Sequence, residues 1–269
     1  MGHRFLFGSH PEAVNMDNFS AKKISYAING KSLLQETSID FNPGEFTVIL
    51  GANGAGKTTL LKCLIGLTKP STGDISLGQH YLKTIRAKER AKFISYIPQD
   101  PVIAWPTTVR NVVALGRFTY GSMFTAPTEA DTLAIETVLH ECDIHHLRHQ
   151  SVETLSGGEL ARVHFARALS SRTPFLLADE PTSSLDMAHQ LRAMRLFKNY
   201  TTNGGGAIVV MHDTSLAINH ADRIVWMKNG AIVSDGTPKE TATSKTMKYI
   251  FNVDTRIDWR NNYCTISLI

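Results

Sequence analysis

Apolar and polar positions alternate in two stretches near the start of the chain, residues 24–26 and 33–41. The dipeptide Asn29-Gly30 lies between them and suits a tight hairpin turn. The pattern therefore predicts an antiparallel pair of strands. A second hairpin is predicted across Asn229-Gly230 for the same reason.

Short apolar runs alternate with stretches of helical spacing through much of the remaining chain. Residues 46–50 predict a buried strand that runs into a glycine-rich stretch, and residues 58–67 predict the following helix, ending near Gly66. Later come a strand ending at Asp179, a helix from Asp186, an exposed turn at Gly204-Gly205-Gly206 and a strand over 207–211. Alternation of this kind predicts an α/β fold.

Helical periodicity dominates between residues 100 and 172. Val109, Val112 and Val113 share one helical face, and a further helix is predicted after Pro127-Thr128. We expect a helical subdomain at about 100–172.

The chain's 269 residues suit one compact unit. We expect a single domain over 20–269, preceded by a loose lead-in over 1–19. The lead-in has no continuous apolar stretch of the kind that marks a secretory signal. The apolar runs elsewhere are shorter than the roughly 20 residues of a membrane span, so we expect any membrane-spanning part to belong to another polypeptide.

Charge and cysteine content narrow the possible functions. The 28 basic and 24 acidic residues are spread along the chain, without the block of like charge that would suggest nucleic-acid binding. Mild basicity fits an anionic ligand. Three cysteines, an odd number at wide spacing, favour neither a disulfide framework nor a thiolate metal site, so a reducing cytosol is the simplest compartment.

A glycine-rich loop follows the strand over 46–50 and has the spacing of a phosphate-binding loop. Its glycines allow backbone N–H groups to point at phosphates, Lys57 would reach the β- and γ-phosphates, and the Thr58 hydroxyl would coordinate Mg²⁺. A plain glycine turn is the alternative. The predicted binding residues of this loop are Gly51, Asn53, Gly54, Ala55, Gly56, Lys57, Thr58 and Thr59.

Two consecutive carboxylates end the apolar run over 175–178. Successive side chains of a strand project to opposite sides, so one carboxylate can face a metal while the other points elsewhere. We predict that Asp179 is a metal ligand, acting through water, and that Glu180 orients or deprotonates the water that attacks the γ-phosphate. An acidic pair capping a turn before Pro181 is the alternative.

A second glycine-rich turn, Ser156-Gly157-Gly158-Glu159, has the spacing of a capping box. A cap does not need the two glycines, which cost a helix roughly 0.8–1 kcal/mol each. Their presence suggests that the backbone approaches a phosphate closely. The sequence therefore predicts two phosphate-binding turns that act on the same phosphate from two sides and belong to different subunits.

With these motifs in this order, the chain resembles the ATPase subunits of ABC transporters over nearly its whole length. The resemblance implies a P-loop NTPase core with an antiparallel β subdomain and an inserted helical subdomain. It also implies ATP and Mg²⁺ as ligands and a head-to-tail homodimer. In such a dimer Ser156, Gly157 and Gly158 would meet the γ-phosphate held by the other copy's loop.

The same resemblance gives roles to four more residues, each of which has a plainer alternative. Gln99 would sense Mg²⁺ and the attacking water and touch the membrane partner, although it could be a surface residue. His212 would contact the γ-phosphate, or be merely structural. Asp186 would reach across the dimer, or only cap a helix. Tyr26 would stack on adenine, or pack in its sheet.

One position departs from the family pattern. After its signature, the glycine-rich turn that matches Ser156-Gly157-Gly158-Glu159 here, the family usually has a glutamine followed by an arginine. This chain has Ala161 before Arg162. The departure concerns the fine contacts of that helix.

A cluster rich in histidine precedes the signature and resembles a metal site by composition, but it lacks zinc-type spacing. Its members are His140, Glu141, Asp143, His145, His146 and His149.

Several stretches are similar to ATPases of iron-chelate, haem and cobalamin importers, among them 105–109, 114–117, 212–217 and 250–253. This similarity favours iron-siderophore import. It implies two transmembrane permease subunits, a substrate-binding protein and a peripheral position on the cytoplasmic face of the inner membrane. A soluble ABC ATPase of DNA repair or translation and an exporter ATPase are the alternatives. The single cassette, the lack of a long coiled-coil insertion and the lack of a fused spanning domain speak against them.

Overall fold

The computed structural model describes residues 18–101, 103, 105–120, 127–183 and 185–269. Of the predicted lead-in, only its last two residues belong to this part. Phe19 is buried at the start of the first strand, so the regular structure begins within the predicted lead-in.

Strands occupy both halves of the chain. Their bounds are β1 Phe19–Ile28, β2 Lys31–Phe41, β3 Phe46–Gly51, β4 Thr72–Leu77, β5 His80–Tyr81, β6 Ile94–Ile97, β7 Phe175–Asp179, β8 Gly206–Val210, β9 Arg223–Lys228, β10 Ala231–Gly236, β11 Thr255–Arg260 and β12 Tyr263–Leu268.

Helices alternate with the strands after β3. Their bounds are α1 Lys57–Leu64, α2 Ala87–Arg90, α3 Val109–Ala114, α4 Glu129–Glu141, α5 Gly157–Ser170, α6 Met187–Thr202, α7 Thr214–His220, α8 Pro238–Thr241 and α9 Ser244–Phe251. Short 3₁₀ turns cover Leu82–Thr84, Leu115–Tyr120, His145–Leu147 and Val152–Thr154.

Within the described residues the strands form three sheets. The largest has the order β10-β9-β3-β8-β7-β6; its strands are parallel except β10, which pairs antiparallel with β9. A second sheet, β2-β1-β4-β5, is antiparallel. The pair β11-β12 is separate. The parallel strands connected through helices are those of an α/β protein, as predicted.

Both predicted hairpins are confirmed. Asn29 and Gly30 have φ angles of 49° and 76° between β1 and β2, and Asn229 and Gly230 have 50° and 81° between β9 and β10. Two successive positive φ angles are those of a type I′ turn, which asparagine and glycine adopt most readily.

Three local features differ from the sequence prediction. Helix α1 ends at Leu64, before the predicted 67, because Gly66 takes a φ of 69° and bends the chain away. Gly205 and Gly206, predicted within an exposed turn, are buried, and a Cβ on Gly205 would lie 2.4 Å from the Tyr200 ring. The hairpin β11-β12 was not predicted.

The core lies on both faces of the parallel sheet, and alternate residues of each strand feed opposite faces. In β3, Val48 and Leu50 join the cluster beneath the helices α3 to α7 and α9. Ile49 joins the other cluster, which contains α1 and the antiparallel sheet. The parallel sheet is therefore buried on both sides, which explains its continuous apolar runs.

Among the described residues, no helix combines the length and the apolar character that crossing a membrane requires.

Helices α3, α4 and α5 pack together in the segment predicted as a helical subdomain. A buried ion pair lies among them: Arg117 Nε donates to Asp131 Oδ1 at 2.8 Å, and Arg117 also donates to the Ser170 carbonyl at 3.0 Å. Burial alone would raise the pKa of Asp131, but hydrogen bonds from Arg117 and Thr128 outweigh it and hold the pKa below its ordinary value. The bounds of the subdomain stay a prediction.

Replacing Asp131 by Asn removes the carboxylate that pairs with the buried Arg117. Loss of one partner of a buried pair is expected to lower the free energy of unfolding by about 3–5 kcal/mol. Urea unfolding followed by circular dichroism measures this. Glu129→Gln, an exposed change on the same turn, is the control and is expected to stay within about 0.5 kcal/mol. Equal stability of the two variants would show that the pair does not hold these helices together.

Candidate active site

One edge of the parallel sheet collects most of the predicted site residues. Parallel strands present their carboxyl ends together, and the loops that follow β3, β6, β7 and β8 meet there. They enclose a cleft of about 370 Å³. It is lined by Leu33, Asn53, Gly54, Ala55, Gly56, Lys57, Thr58, Thr59, Gln99, Glu180 and His212.

The glycine loop passes so close to its neighbours that two of its glycines cannot be replaced. A Cβ on Gly51 would lie 2.2 Å from the Met227 carbonyl oxygen, and one on Gly56 would lie 2.6 Å from that of Leu33. Both also have positive φ, 154° and 96°. These glycines are therefore required by the fold of the loop, which leaves its backbone amides free of side-chain obstruction.

The hairpin turn between β9 and β10, which is distant in sequence, is hydrogen-bonded to this glycine loop. The Gly230 amide donates to the Ala55 carbonyl at 3.0 Å, and the Gln35 amide donates to the Gly230 carbonyl at 2.8 Å. The Gln35 side chain also donates to the Asn229 carbonyl. Sequence analysis identified Asn229-Gly230 only as a hairpin turn and missed this second role.

Lys57 places a buried cation at the start of α1. Its Nζ donates to the carbonyl oxygens of Gly51 at 2.8 Å and Ala52 at 3.2 Å. Burial lowers the pKa of Lys57, while the nearby charges of Glu180 and Asp179 act in the opposite direction. A phosphate anion in the cleft would compensate a cation that has lost much of its hydration.

Thr58 and Asp179 form the oxygen pair that could hold a divalent cation. Thr58 Oγ1 donates to Asp179 Oδ1 at 3.1 Å, which joins α1 to the end of β7. Burial raises the pKa of Asp179, and the charge of Glu180 adds to the effect. A hydroxyl and a carboxylate are ligands that Mg²⁺ prefers, and its charge would stabilise the ionised carboxylate, so these residues fit the ion.

Glu180 turns away from Asp179 because its backbone leaves the strand conformation. It has a φ of 50°, while its amide still donates to the Val210 carbonyl at 3.0 Å. Its carboxylate accepts from Gln99 Nε2 at 2.8 Å and contacts His212 Nε2. A left-handed conformation is unfavourable for glutamate, and strain of this kind is concentrated at functional sites.

The second glycine-rich turn does not line the cleft. Ser156 caps α5, with the Glu159 amide donating to its Oγ at 3.3 Å, and Glu159 Oε2 accepts from the Ser156 amide at 2.8 Å. A Cβ on Gly157 would meet nothing within 4 Å, and one on Gly158 only His189 at 3.9 Å. The capping box is confirmed, and no contact in the described part of the chain accounts for the two glycines.

Four other predicted ligands are not among the residues that line the cleft. Gly51 and Asp179 contact the lining residues Lys57 and Thr58, whereas Tyr26 and Asp186 have structural roles. Tyr26 is in β1, paired with Leu34 of β2, and is half-buried against the core. Asp186 caps α6 and accepts from the His189 amide at 2.9 Å. The structural alternatives given for both residues are therefore present. Adenine stacking by Tyr26 and a cross-dimer contact by Asp186 stay predictions.

Leu33 lines the cleft beside the glycine loop, and sequence analysis missed it. Only its position in an alternating strand was visible, and that pattern does not tell which strand lies over the loop.

The histidine-rich segment is organised by ring packing and by contacts with neighbouring charged side chains, among them the ion pair between Asp143 and Arg192. The rings of His140 and His145 stack at 3.9 Å, and His145 Nε2 lies 3.3 Å from Glu136 Oε2. No group of three or more histidine, cysteine or acidic side chains in the described ranges is arranged to hold a metal ion. The three cysteines are free and buried.

Known proteins similar to this chain agree with the fold and the loops. The family model described as ABC transporter matches residues 34–183. The hemin import ATP-binding protein HmuV of Rhizobium meliloti is 38% identical over 245 residues, which cover 88% of this chain and 92% of the relative.

Two solved structures are also similar. A metal-chelate type ABC transporter in an inward-facing conformation superposes with a TM-score of 0.79 at 23% identity, covering 94% of this chain and 97% of that one. The ATP-binding cassette MJ0796, a dimer in a post-hydrolysis state bound to ADP and Pi, gives a TM-score of 0.72 at 26% identity, covering 82% and 98%. The predicted ABC ATPase fold is thereby confirmed. The chain belongs to the ABC transporter family and is one of its ATP-binding, ATP-hydrolysing proteins.

Proposed function

We propose that the chain is the ATP-hydrolysing subunit of an ABC importer and that the imported compound is haem. The observation that carries the ATPase part is the meeting of the glycine loop, Gln99, Glu180 and His212 in one cleft. The importer part rests on the 38% identity to the hemin import protein across 88% of this chain.

The glycine loop and Lys57 bind the triphosphate in this proposal. Backbone amides of residues 51–56 face the phosphates, and Lys57 exchanges its carbonyl partners for phosphate oxygens. Thr58 and Asp179 hold Mg²⁺, the latter through water. The ion would neutralise the charge that develops on the phosphate oxygens.

Glu180 is the proposed general base or orienting group for the attacking water. Gln99 and His212 hold its two carboxylate oxygens from different loops, which supports a fixed direction for the carboxylate. A positioned water beside the γ-phosphate is the main requirement of phosphoryl transfer, since little covalent chemistry is left to the protein. His212 would then contact the γ-phosphate from the other side.

A second copy of the chain completes the site. Ser156 and Gly157 are exposed, and neither lines the cleft of its own chain. The open space at Gly157 and the positive end of the α5 dipole suit a phosphate brought by another copy. The dimeric state of the related cassette MJ0796 supports this arrangement.

The proposed partners are two transmembrane permease subunits and a substrate-binding protein that delivers the compound to them. The chain would lie peripherally on the cytoplasmic face of the inner membrane. Sequence analysis favoured an iron-siderophore complex, whereas the name of the relative favours haem. Both are iron chelates, and the ATPase need not touch either one.

Replacing Lys57 by Ala removes the cation from the cleft. Charge-assisted hydrogen bonds contribute about 1.5–3 kcal/mol each, so the affinity for Mg-ATP is expected to fall at least about tenfold in calorimetry. Lys69→Ala, an exposed change beyond the end of α1, serves as the control and should bind as the unaltered chain does. Unchanged affinity of the Lys57 variant would remove this lysine from the site.

Replacing Glu180 by Gln keeps the shape of the side chain and removes the base. Turnover is expected to fall about 10²- to 10⁴-fold, while ATP still binds. The non-hydrolysing variant should accumulate as a dimer with ATP, measured by light scattering, with Glu153→Gln as an exposed control. A monomer at saturating ATP would contradict the shared site, and full turnover would contradict the base.

The cargo is tested with the complete complex. Co-purification of the chain from detergent-solubilised membranes identifies the permease and binding protein, which are then reconstituted in liposomes. We expect ATP hydrolysis to rise when the binding protein carries haem and not when it carries a ferric siderophore. The reverse result would identify a ferric siderophore as the imported compound. Hydrolysis that is independent of any binding protein would contradict an importer. The same complex with Lys57→Ala gives the background rate.

A further inference from the structure

A second cavity lies behind Gln99, between its loop and helix α5. Its volume is about 250 Å³, and residues 97–101 form one wall. The opposite wall is one face of α5, made of Gly157, Leu160, Ala161, His164 and Phe165, whose spacing is that of a helix. Gln99 and Glu180 line both this cavity and the nucleotide cleft.

His164 is the unusual member of this wall. Its side chain is 1% exposed, and neither Nδ1 nor Nε2 has a hydrogen-bond partner among the described residues. Burial lowers the pKa of His164 to about 4, with a contribution from Arg167. The imidazole is therefore neutral at pH 7 and has one donor and one acceptor to offer. A buried polar group without partners is costly, which suggests that it is used in another state of the protein.

The facing loop has matching groups to offer. Within the described part of the chain, the amides of Gln99 and Asp100 and the carbonyls of residues 98–101 make no hydrogen bonds, while Pro98 and Pro101 have no N–H group. The Gln99 side chain makes one, to Glu180. The cavity between them is wide enough for bridging water molecules. Because both imidazole nitrogens are buried in this conformation, a hydrogen bond across the cavity requires the ring to turn or the loop to shift toward it.

We propose that His164 is a positioning residue, which hydrogen-bonds the loop carrying Gln99 across this cavity and so links helix α5 to the catalytic cleft. The family usually has a glutamine at position 161, where this chain has Ala161. Ala161 and His164 are three residues apart on the face of α5 that lines the cavity, so an imidazole one turn further on can reach the same space. This inference rests on the roles proposed above for Gln99 and Glu180.

Three variants of this chain test the positioning role of His164: His164→Leu, His164→Gln, and His164→Leu combined with Ala161→Gln. His164→Leu removes both nitrogens and keeps an apolar side chain. If His164 is only structural, the urea midpoint stays equal or rises and kcat does not change. If it positions the loop, the midpoint behaves in the same way but kcat falls about tenfold or more, with KM for ATP within about twofold.

Rescue separates the two explanations further. His164→Gln, and His164→Leu combined with Ala161→Gln, each restore a donor and an acceptor to the cavity. Both are expected to return kcat to within about threefold of the unaltered chain. Leu169→Met, a conservative change in α5 away from the cavity, shows how kcat responds to repacking alone. Should the leucine variant not fold, His164→Met takes its place.

An unchanged kcat in the apolar variant, or glutamine variants no faster than it, would overturn the inference. The proposed ATPase mechanism is judged separately, because it fails only when Glu180→Gln keeps its turnover. If Glu180→Gln loses turnover and His164→Leu does not, the mechanism stands and the positioning role of His164 does not.

Discussion

The hydrogen bond from the Gly230 amide to the Ala55 carbonyl joins the glycine loop to a turn 175 residues later in the chain. The same turn is held to β2 by Gln35, so the loop, the parallel sheet and the antiparallel sheet meet at one point. Side chains cannot enter this contact, because a Cβ on Gly51 or Gly56 would collide with backbone carbonyls. The shape of the cleft therefore depends on close backbone packing.

Buried charge is the second constraint on this edge of the sheet. Lys57 and Asp179 are both buried. Burial lowers the pKa of Lys57 and raises that of Asp179, which favours the neutral form of each side chain. Glu180 adds a negative charge to the same cleft. Lys57 and Asp179 stabilise each other's charge, whereas Glu180 stabilises the charge of Lys57 and opposes that of Asp179. A phosphate with its cation would supply further compensation. The charges that bind a nucleotide in our proposal are thus ones that the protein's own groups compensate only in part.

The parts of this structure that could be predicted from sequence are those fixed by local chemistry. The hairpins at Asn29-Gly30 and Asn229-Gly230 were predictable because few other residues accept two positive φ angles in succession. The capping box at Ser156 was predictable from spacing. The hairpin β11-β12 carried a comparable signal, since Asn261 and Asn262 both have positive φ at its turn, but it was not recognised.

Contacts between distant segments could not be predicted. Nothing in the local sequence shows that Leu33 lines the cleft or that Asn229-Gly230 supports the loop. Glu180 was expected to diverge from Asp179 because strand side chains alternate. The divergence in the structure also uses a left-handed φ of 50°, which a sequence ending in Asp-Glu-Pro does not reveal. The unpartnered nitrogens of His164 likewise appear only when α5 is packed against its neighbours.

The start of α5 shows how a structural device and a binding device can compete for the same atoms. Ser156 Oγ donates to Glu159 Oε2 at 2.7 Å, and the hydrogen bonds from Ser156 hold the pKa of Glu159 below its ordinary value. The Glu159 carboxylate is therefore ionised, and it accepts the hydrogen bond that the Ser156 hydroxyl can donate. In the proposed dimer, a phosphate that approaches Ser156 from the second copy would have to displace this carboxylate or bind only to backbone amides. Because the glycines leave those amides open, the second route requires no rearrangement of the cap, and the cap can keep α5 intact while the site is assembled.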